Sequence, residues 1–272
     1  MQRPFFSIII PTLNEEKYLP RLLSDLTLQS ERDFEVFIAD AGSHDQTPTV
    51  AQSFSKRLPL VFITSDKKNV SIQRNLGARQ ARGTYLMFLD ADVQVPSNFL
   101  QLIKRHLQKH FPDMLTTYLK ADSRSLSDQM IARVSSLLQE MSLKLIELPF
   151  VIGFNFTIKR EVFLKAGGFR KDVKHGEDIE LSQRLFKSGK TLEILKQPKL
   201  IFSLRRYREE GRLNVLRKNA KAAFHILTRG PITKELFDYP MGGDWYRKKQ
   251  HPSNGLEKAE TFVKNMVKLL FE

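Results

Sequence analysis

An α/β chain with a mostly parallel sheet flanked by helices is what this sequence predicts, and three observations carry that prediction. Short apolar runs alternate with stretches of helical periodicity through the first half of the chain. Each of three runs ends in polar residues, at Asn14/Glu15, Asp40 and Asp90/Asp92, and ligands in open α/β sheets bind outside the carboxyl ends of strands. The 272 residues are 41% hydrophobic and 27% charged, enough for a sizeable core in one large domain or in a domain plus an appendage.

The elements follow in order. "FFSIIIP" reads as a buried strand, followed by the polar loop Thr12-Leu13-Asn14-Glu15. Leu19, Leu22, Leu23 and Leu26 then recur at helical spacing, with Pro20 tolerated because it falls in the first turn. "FEVFIAD" is a second strand ending at Asp40, and "AGSHDQT" supplies a turn and a helix entry before Val50, Ala51 and Phe54. "LPLVFIT" is a third strand, and "SIQRNLGARQARG" reads as a basic helix or loop-helix. Tyr85–Leu89 of "YLMFLDADVQVP" is a further buried strand. Residues 97–111 and 126–148 are helical; Glu140, Lys144 and Glu147 make the latter amphipathic and not a membrane span. No internal repeat and no low-complexity tract is present.

Asp90 and Asp92 stand one residue apart at the end of an apolar strand. Two such carboxylates repel, and burial raises at least one pKa unless a cation lies between them. Oxygen-only ligands suit a hard divalent ion, Mg²⁺ or Mn²⁺, which is usually completed by substrate phosphates. The same two residues are equally a polar turn where a strand stops.

The net charge is +14 and the pI about 9.9, which favours an anionic neighbour. Residues 201–272 hold fifteen Lys/Arg against eight Asp/Glu, half of the excess. The absence of cysteine excludes disulfides and thiolate metal sites. The start "MQRPFFSIII" turns polar at Pro11-Thr12, too early for a signal peptide, and no apolar stretch is long enough to span a bilayer. The expectation is a cytoplasmic protein or one peripheral on the cytoplasmic membrane face.

The succession "SIIIPTLNEEKYLPRLLSDL", "FEVFIADAGSHDQT", "NVSIQRNLGARQARGTYLMFLDADVQVP", "GFNFTIKREVFLKAGGF" and "HGEDIELSQRLFKSGK" resembles family-2 glycosyltransferases of the GT-A (Rossmann-like) fold. The five blocks are in order and cover about residues 5–190. The resemblance implies metal-dependent transfer of a sugar, with inversion, from a nucleotide-diphosphate sugar to a glycan or a polyprenyl-phosphate-type acceptor, with UDP favoured over GDP. It gives Pro11, Thr12, Asn14 and Glu15 to the nucleoside and Asp40 to an N–H of the base. Gln73, Arg74 and Asn75, with Lys68 nearby, would line the diphosphate. Asp90 would serve nucleotide and metal, Asp92 the metal. Gln94 resembles a glutamine that assists the metal in polyprenyl-phosphate sugar transferases, though an alternating strand-end residue explains it as well. Gly153 and Asn155 would face the donor or acceptor sugar. Asp178 is the implied general base and Glu177 its positioning partner. Alternatively, both are acids that stabilise a helix N-terminus. His175 stays outside the metal set, and Arg79 and Arg82 read as solvated helix residues.

Arg205 or Arg206 could close over the diphosphate, or "SLRRYREEGRLNVLRKNAKAAFHIL" could form a basic amphipathic helix on an anionic membrane surface. Residues 1–230 are expected to form the catalytic domain and 231–272 a loop and amphipathic helix, whose stripe runs from Leu256 through Phe262 and Met266 to Leu270. Two other classes compete. A sugar nucleotidyltransferase would want a glycine-rich loop after the first strand, which "PTLNEE" lacks. A non-catalytic membrane or nucleic-acid module would explain the charge but not the acids at 90, 92, 177 and 178, so no nucleic-acid partner is expected.

Overall fold

The computed structural model describes residues 3–239 together with 242 and 243. Its centre is a seven-stranded sheet of β1 (Phe6–Thr12), β2 (Phe34–Asp40), β3 (Leu60–Thr64), β4 (Tyr85–Leu89), β5 (Met114–Ala121), β6 (Asn155–Lys159) and β7 (Leu192–Phe202), in the spatial order β3-β2-β1-β4-β6-β5-β7. β1 pairs in parallel with β2 and β4, β2 with β3, and β5 with β7; only β6 runs antiparallel to its neighbours.

Helices cover both faces, which is why the central strands are continuous apolar runs instead of alternating ones. Phe6, Ile8 and Ile10 point into one core layer with Leu22 and Leu26 of α1 (Leu19–Thr27) and Ile103 of α4 (Phe99–His110). Ile9 and Phe88 point into the other, with Ala78 of α3 (Val70–Gln80), Phe163 of α6 (Arg160–Lys165) and Leu181 of α7 (Glu177–Lys187). The basic segment is thus a full helix, its N-terminus capped by Asn69, which accepts the Ile72 N–H at 3.0 Å. Gly77 lets that helix approach β1 closely, since a Cβ there would lie 2.8 Å from Ile9 Cγ2. Pro20 is accommodated in the first turn of α1.

α2 (Thr47–Ser53) follows β2, and α5 (Leu126–Leu145) ends three residues before the predicted limit of 148. β5 and β7 are not foreshadowed by the apolar-run pattern. β7 is an edge strand with exposed Lys196 and Gln197, and Pro198 is tolerated there because one side of an edge needs no donors. After it come α8 (Arg205–Glu209) and α9 (Arg212–Arg229).

Packing continues across the expected boundary at 230/231. Ile232 is buried with Ala222 and Ile226, and its carbonyl accepts the Lys174 N–H at 2.7 Å. The Gly243 N–H donates to the Leu13 carbonyl at 2.9 Å, bringing the chain back to the end of β1. The stripe from Leu256 to Leu270 lies outside the described residues.

Candidate active site

The register of the sheet aligns its polar strand ends. Thr12 sits opposite Asp40, and Asp40 opposite Thr64. Asp40 is buried and accepts the Thr12 hydroxyl at 2.8 Å, the Ser43 N–H at 2.8 Å and the Ser43 hydroxyl at 2.5 Å. Three of the roughly four acceptor positions of its carboxylate are therefore taken, two by Ser43 of the loop after β2 and one by Thr12 of β1. Asn14 has φ +54°, a conformation asparagine tolerates. Its N–H donates to Ser43 Oγ and its side-chain oxygen accepts the His44 N–H, both at 2.8 Å. The loops after β1 and β2 are laced together by these contacts, with Pro11 as the penultimate residue of β1.

Arg205, the first residue of α8, reaches back to this edge. Its Nη1 and Nη2 donate to the two carboxylate oxygens of Glu15 at 2.8 and 2.7 Å, and its Nε lies 2.8 Å from Asp92 Oδ2. The guanidinium also rests on the Tyr18 ring, 4.5 Å from its centroid. Burial pushes Glu15 up to about 7 even though Arg205 pulls it down. Asp92 is raised likewise, first by burial and then by Asp90, against the attraction of Arg205.

A second clamp lies at Arg74 of α3. This side chain is 3% exposed and donates from Nη2 to Asp90 at 2.9 Å and from Nη1 to Glu177 at 2.7 Å. Asp90, Glu177 and Asp178 together hold its pKa above the ordinary arginine value despite burial. Its Nε has no hydrogen-bond partner among the described residues. The clamp joins the end of β4 to the start of α7, positions 103 residues apart for Arg74 and Glu177.

Asp178 accepts the Gly153 N–H at 2.5 Å on one carboxylate oxygen and the Ile179 N–H at 2.8 Å on the other. Burial, then the neighbouring Glu177 charge, push its pKa up to about 7, against Arg74 and the two N–H groups. Gly153 is at hand because β6 is antiparallel. Asn155 pairs with Leu89, so the residues before β6 meet those after β4 at one edge. A Cβ on Gly153 would lie 2.5 Å from Arg74 Nη1, so glycine is what allows the guanidinium to pack there.

The structure thus brings Glu15, Arg74, Asp90, Asp92, Gly153, Glu177, Asp178 and Arg205 into two linked polar clusters. Other expected site residues act from behind. The Gln73 amide donates to the Thr12 and Ala39 carbonyls at 2.8 and 2.7 Å, tying β1 to β2. Asn75 both donates to and accepts from the Phe169 backbone, and a Cβ on Gly168 would meet its Oδ1 at 2.5 Å. Asn155, expected to face sugar, is buried and turned to Thr117 of β5, bonding its carbonyl at 2.7 Å. The amides of all three fasten backbone segments, which fixes the positions of neighbouring Arg74 and Gly153. Lys68 is exposed in the loop before α3.

Arg206 pairs with Glu210 at 3.0 Å and lies over the Tyr239 ring at 3.7 Å, whereas Arg205 holds Glu15 and Asp92. His175 packs edge-on against Phe237 and Tyr239, and burial lowers its pKa. Arg208 and Arg212, of the same basic segment, pair with Asp122 and Asp128. Arg82 pairs with Glu35 at 3.2 Å, whereas Arg79 is exposed.

The donor set fits a hard cation completed by a ligand. The Val93 N–H closes a turn onto the Asp90 carbonyl at 3.3 Å, which sets Asp90 and Asp92 on successive sides of one bend. Asp90 is the more open, with a side chain 37% exposed. Among the described residues no group of three or more His, Cys, Asp or Glu could hold a metal by itself. Two carboxylate donors plus phosphate oxygens match the way Mg²⁺ is commonly bound. Asp92 meets such an ion only by sharing or releasing Arg205.

Tyr18 under Arg205, Phe169 near Arg74 (5.5 Å to the ring centroid) and Gly243 at Leu13 are contacts that sequence reasoning did not single out. Each joins segments distant in sequence, and only the "KAGGF" block hinted at one of them.

Comparison with known proteins gives this geometry a context. A sequence profile described as Glycosyl transferase family 2 matches residues 7–167. The chain is 24% identical over 208 residues to the poly(ribitol-phosphate) beta-N-acetylglucosaminyltransferase TarS of Staphylococcus aureus, covering 74% of this chain and 36% of TarS. It is 31% identical over 187 residues to an uncharacterized glycosyltransferase of Haemophilus influenzae, covering 66% and 61%. The chain therefore spans about a third of TarS and less than two-thirds of the Haemophilus protein. Among solved structures, S. aureus TarS 1–349 in complex with UDP-GlcNAc superposes with a TM-score of 0.61 at 22% identity, over 73% of this chain and 58% of that one. The mannosyltransferase PcManGT of Pyrobaculum calidifontis, in complex with GDP-Man and Mn²⁺, gives 0.59 at 20% identity, over 82% and 65%. These likenesses show the fold, the GT-A-type mixed sheet that the five sequence blocks led one to expect.

Proposed function

This chain belongs to glycosyl transferase family 2, and we propose that it moves a sugar from a nucleotide-diphosphate sugar, with inversion, to a hydroxyl or phosphate of a glycan or polyprenyl-phosphate-type acceptor. The observation that carries the reading is the Arg74 clamp, which ties the strand-end acid Asp90 to the acidic start of α7. Leaving-group chemistry and proton removal are thereby joined through one buried cation.

Asp178 is the general base in this reading. Its two carboxylate oxygens are oriented by the Gly153 and Ile179 N–H groups, and its raised pKa makes it a better proton acceptor than an ordinary aspartate. It takes the proton of the acceptor hydroxyl as that oxygen bonds to the anomeric carbon. The bond from that carbon to the diphosphate oxygen breaks on the opposite face, and the nucleoside diphosphate leaves with the electron pair. Glu177 keeps Arg74 in place, and Arg74 offsets negative charge near the diphosphate. Asp90 and Asp92 would hold Mg²⁺ or Mn²⁺, which when bound supplies Lewis-acid stabilisation of the leaving diphosphate. The Nε–H of Arg205, paired with Asp92 here, would turn to the diphosphate when the donor enters.

Pro11, Thr12, Asn14 and Glu15 with Asp40 form the nucleoside end, Asp40 having one acceptor position left for a base N–H. A uridine nucleotide is the expected donor; UDP-GlcNAc in TarS supports it, while GDP-Man in PcManGT makes guanosine the comparison to run. The test is thermal stabilisation by UDP and by GDP, each with Mn²⁺ and with chelator. A ligand at a hundred times its dissociation constant adds about 2.7 kcal/mol, a readily measured shift. A metal-dependent shift with UDP supports the reading, and no shift with either nucleotide or with UDP-GlcNAc refutes it.

A further inference from the structure

α5 is amphipathic in the wrong sense for a helix that only packs on its own domain. Its buried residues are Asp128, Ala132, Ser136, Gln139 and Ser142, small or polar. Its Val134, Leu137, Leu138, Met141 and Leu145 are all exposed, Leu145 by 72%. At 100° per residue the two sets fall on opposite sides of the helix. The inner side is satisfied, since Ser136 accepts the Leu119 N–H of β5 at 2.9 Å and donates to the Ala132 carbonyl. The outer side is a row of large apolar groups facing water along most of a 20-residue helix.

α9, linked to α5, also exposes large apolar side chains. The two helices are joined near their starts by Arg212 to Asp128 at 2.9 Å. Near their ends they are joined by Phe150, five residues beyond α5, which packs on the cluster of Ala222, Ile226 and Ile232. α9 buries Val215, Ala222 and Ile226 on one side yet exposes Leu216, Phe224 and Leu227 on another. Residues 212–229 contain five Lys/Arg and no Asp/Glu. Among the described residues Arg217, Lys221 and Arg229 have no carboxylate partner. No helix among the described residues is long and apolar enough to cross a membrane.

We propose that the outer faces of α5 and α9 dock this protein on an anionic lipid bilayer, the apolar row entering the interface and the α9 cations meeting acidic headgroups. The charge selects this occupant, because apolar side chains beside cations that have no carboxylate partner, on a helix with no acid, complement a negatively charged lipid surface. Leu145 at the end of α5 is eight residues from Gly153, whose N–H holds Asp178. The bilayer-facing helix thus leads directly into the segment that positions the base. Resting on the transferase reading above, this selects a lipid-linked acceptor presented from the bilayer over a soluble one.

The experiment is flotation of the full chain with phosphatidylcholine vesicles containing about a quarter phosphatidylglycerol, against phosphatidylcholine alone. Two variants accompany it: Leu138→Gln/Met141→Gln/Leu145→Gln, and Arg217→Gln/Lys221→Gln. All five residues are exposed, Lys221 also donating to the Leu236 carbonyl at 3.1 Å, and an unchanged unfolding midpoint verifies the fold. The wild type is expected to float with the anionic vesicles, the apolar triple variant to lose about tenfold or more in affinity, and the basic double variant to lose its preference for phosphatidylglycerol. Failure of the wild type to float, or flotation of the triple variant equal to wild type, overturns the proposal. So does a wild-type dimer in sedimentation that the triple variant converts to monomer, since a second copy would then cover this face. Nucleotide stabilisation is read on the same samples. Its absence with intact vesicle binding would remove the transferase reading and leave the membrane surface standing.

Discussion

Replacing Gly153 by alanine tests the central clamp without touching a charge. Gly153 is not in the left-handed region, so alanine fits its backbone and the cost is one of contact. The added Cβ would stand 2.5 Å from Arg74 Nη1 and 3.0 Å from its Cζ and Nη2. The far end of an arginine could ordinarily swing aside, but this one is pinned between Asp90 and Glu177. Moving it sacrifices those contacts. The arm to Glu177, with both partners largely buried, is a charge-assisted hydrogen bond worth about 1.5–3 kcal/mol. The arm to Asp90, whose side chain is 37% exposed, is screened and worth about 0.5–1 kcal/mol. Gly153→Ala should therefore destabilise by about 2–4 kcal/mol, read as a lower urea midpoint at constant m-value. Transfer should fall with it, because the same Cβ disturbs the segment that orients Asp178. Gly167→Ala is the control. It has open space around its Cβ position and φ +79°, so it should cost only about 1 kcal/mol of backbone strain. If Gly153→Ala unfolds within about 0.5 kcal/mol of wild type, the clamp is not the tight device described here.

Other expectations concern individual carboxylates. Asp178→Asn should lower kcat by about 10²–10⁴-fold with nucleotide stabilisation intact, and wild-type kcat should climb with pH to a plateau above about 7, because only the ionised carboxylate accepts a proton. A pH-independent wild-type rate would remove Asp178 as base. Glu15 binds its proton more tightly folded than unfolded, so its contribution to stability is complete below 4.5 and lost as pH rises to about 7. Against a Glu15→Gln variant, which cannot titrate, wild-type unfolding free energy should fall by about 3 kcal/mol across that window. The difference cancels the opposing effect of His175, and a constant difference would show that Glu15 is not raised. Asp92→Ala should abolish the metal-dependent part of nucleotide stabilisation while leaving the fold intact, and a wild-type response to Mn²⁺ would refute its metal role.

How much of this was legible in the sequence depended on whether the signal was local. The strands from Phe6, Phe34 and Tyr85 announce themselves by apolar runs, since a strand buried on both faces has no polar side to show, and the edge strand from Leu60 does so by its run of Leu, Val, Phe and Ile although it is only partly buried. Their polar ends and the acidic pair at 177 and 178 are equally visible, because a strand that stops, or a helix that starts, does so within a few residues. β5 and β7 escaped: β5 is nearly all buried yet carries Thr116, Thr117 and Lys120 among its apolar residues, and the part-exposed edge strand β7 mixes Glu, Lys and Gln with its own, so neither shows an unbroken apolar run. The inverted α5 also escaped, because periodicity reveals that a helix has an apolar side without telling which way it faces.

By itself, then, the sequence determined the α/β class, the strand-end acids and the order of the family blocks, all matters of spacing along the chain. Only the tertiary structure decided that Arg74 joins Asp90 to Glu177, that Arg205 sits between Glu15 and Asp92, and that Gln73, Asn75 and Asn155 hold backbone in place. The reason is physical. A guanidinium or an amide carries no preference for a partner of a given sequence separation. It pairs with whatever the sheet order and the single reversed strand, β6, bring within 3 Å, and a buried charge left without such a partner would not stay buried.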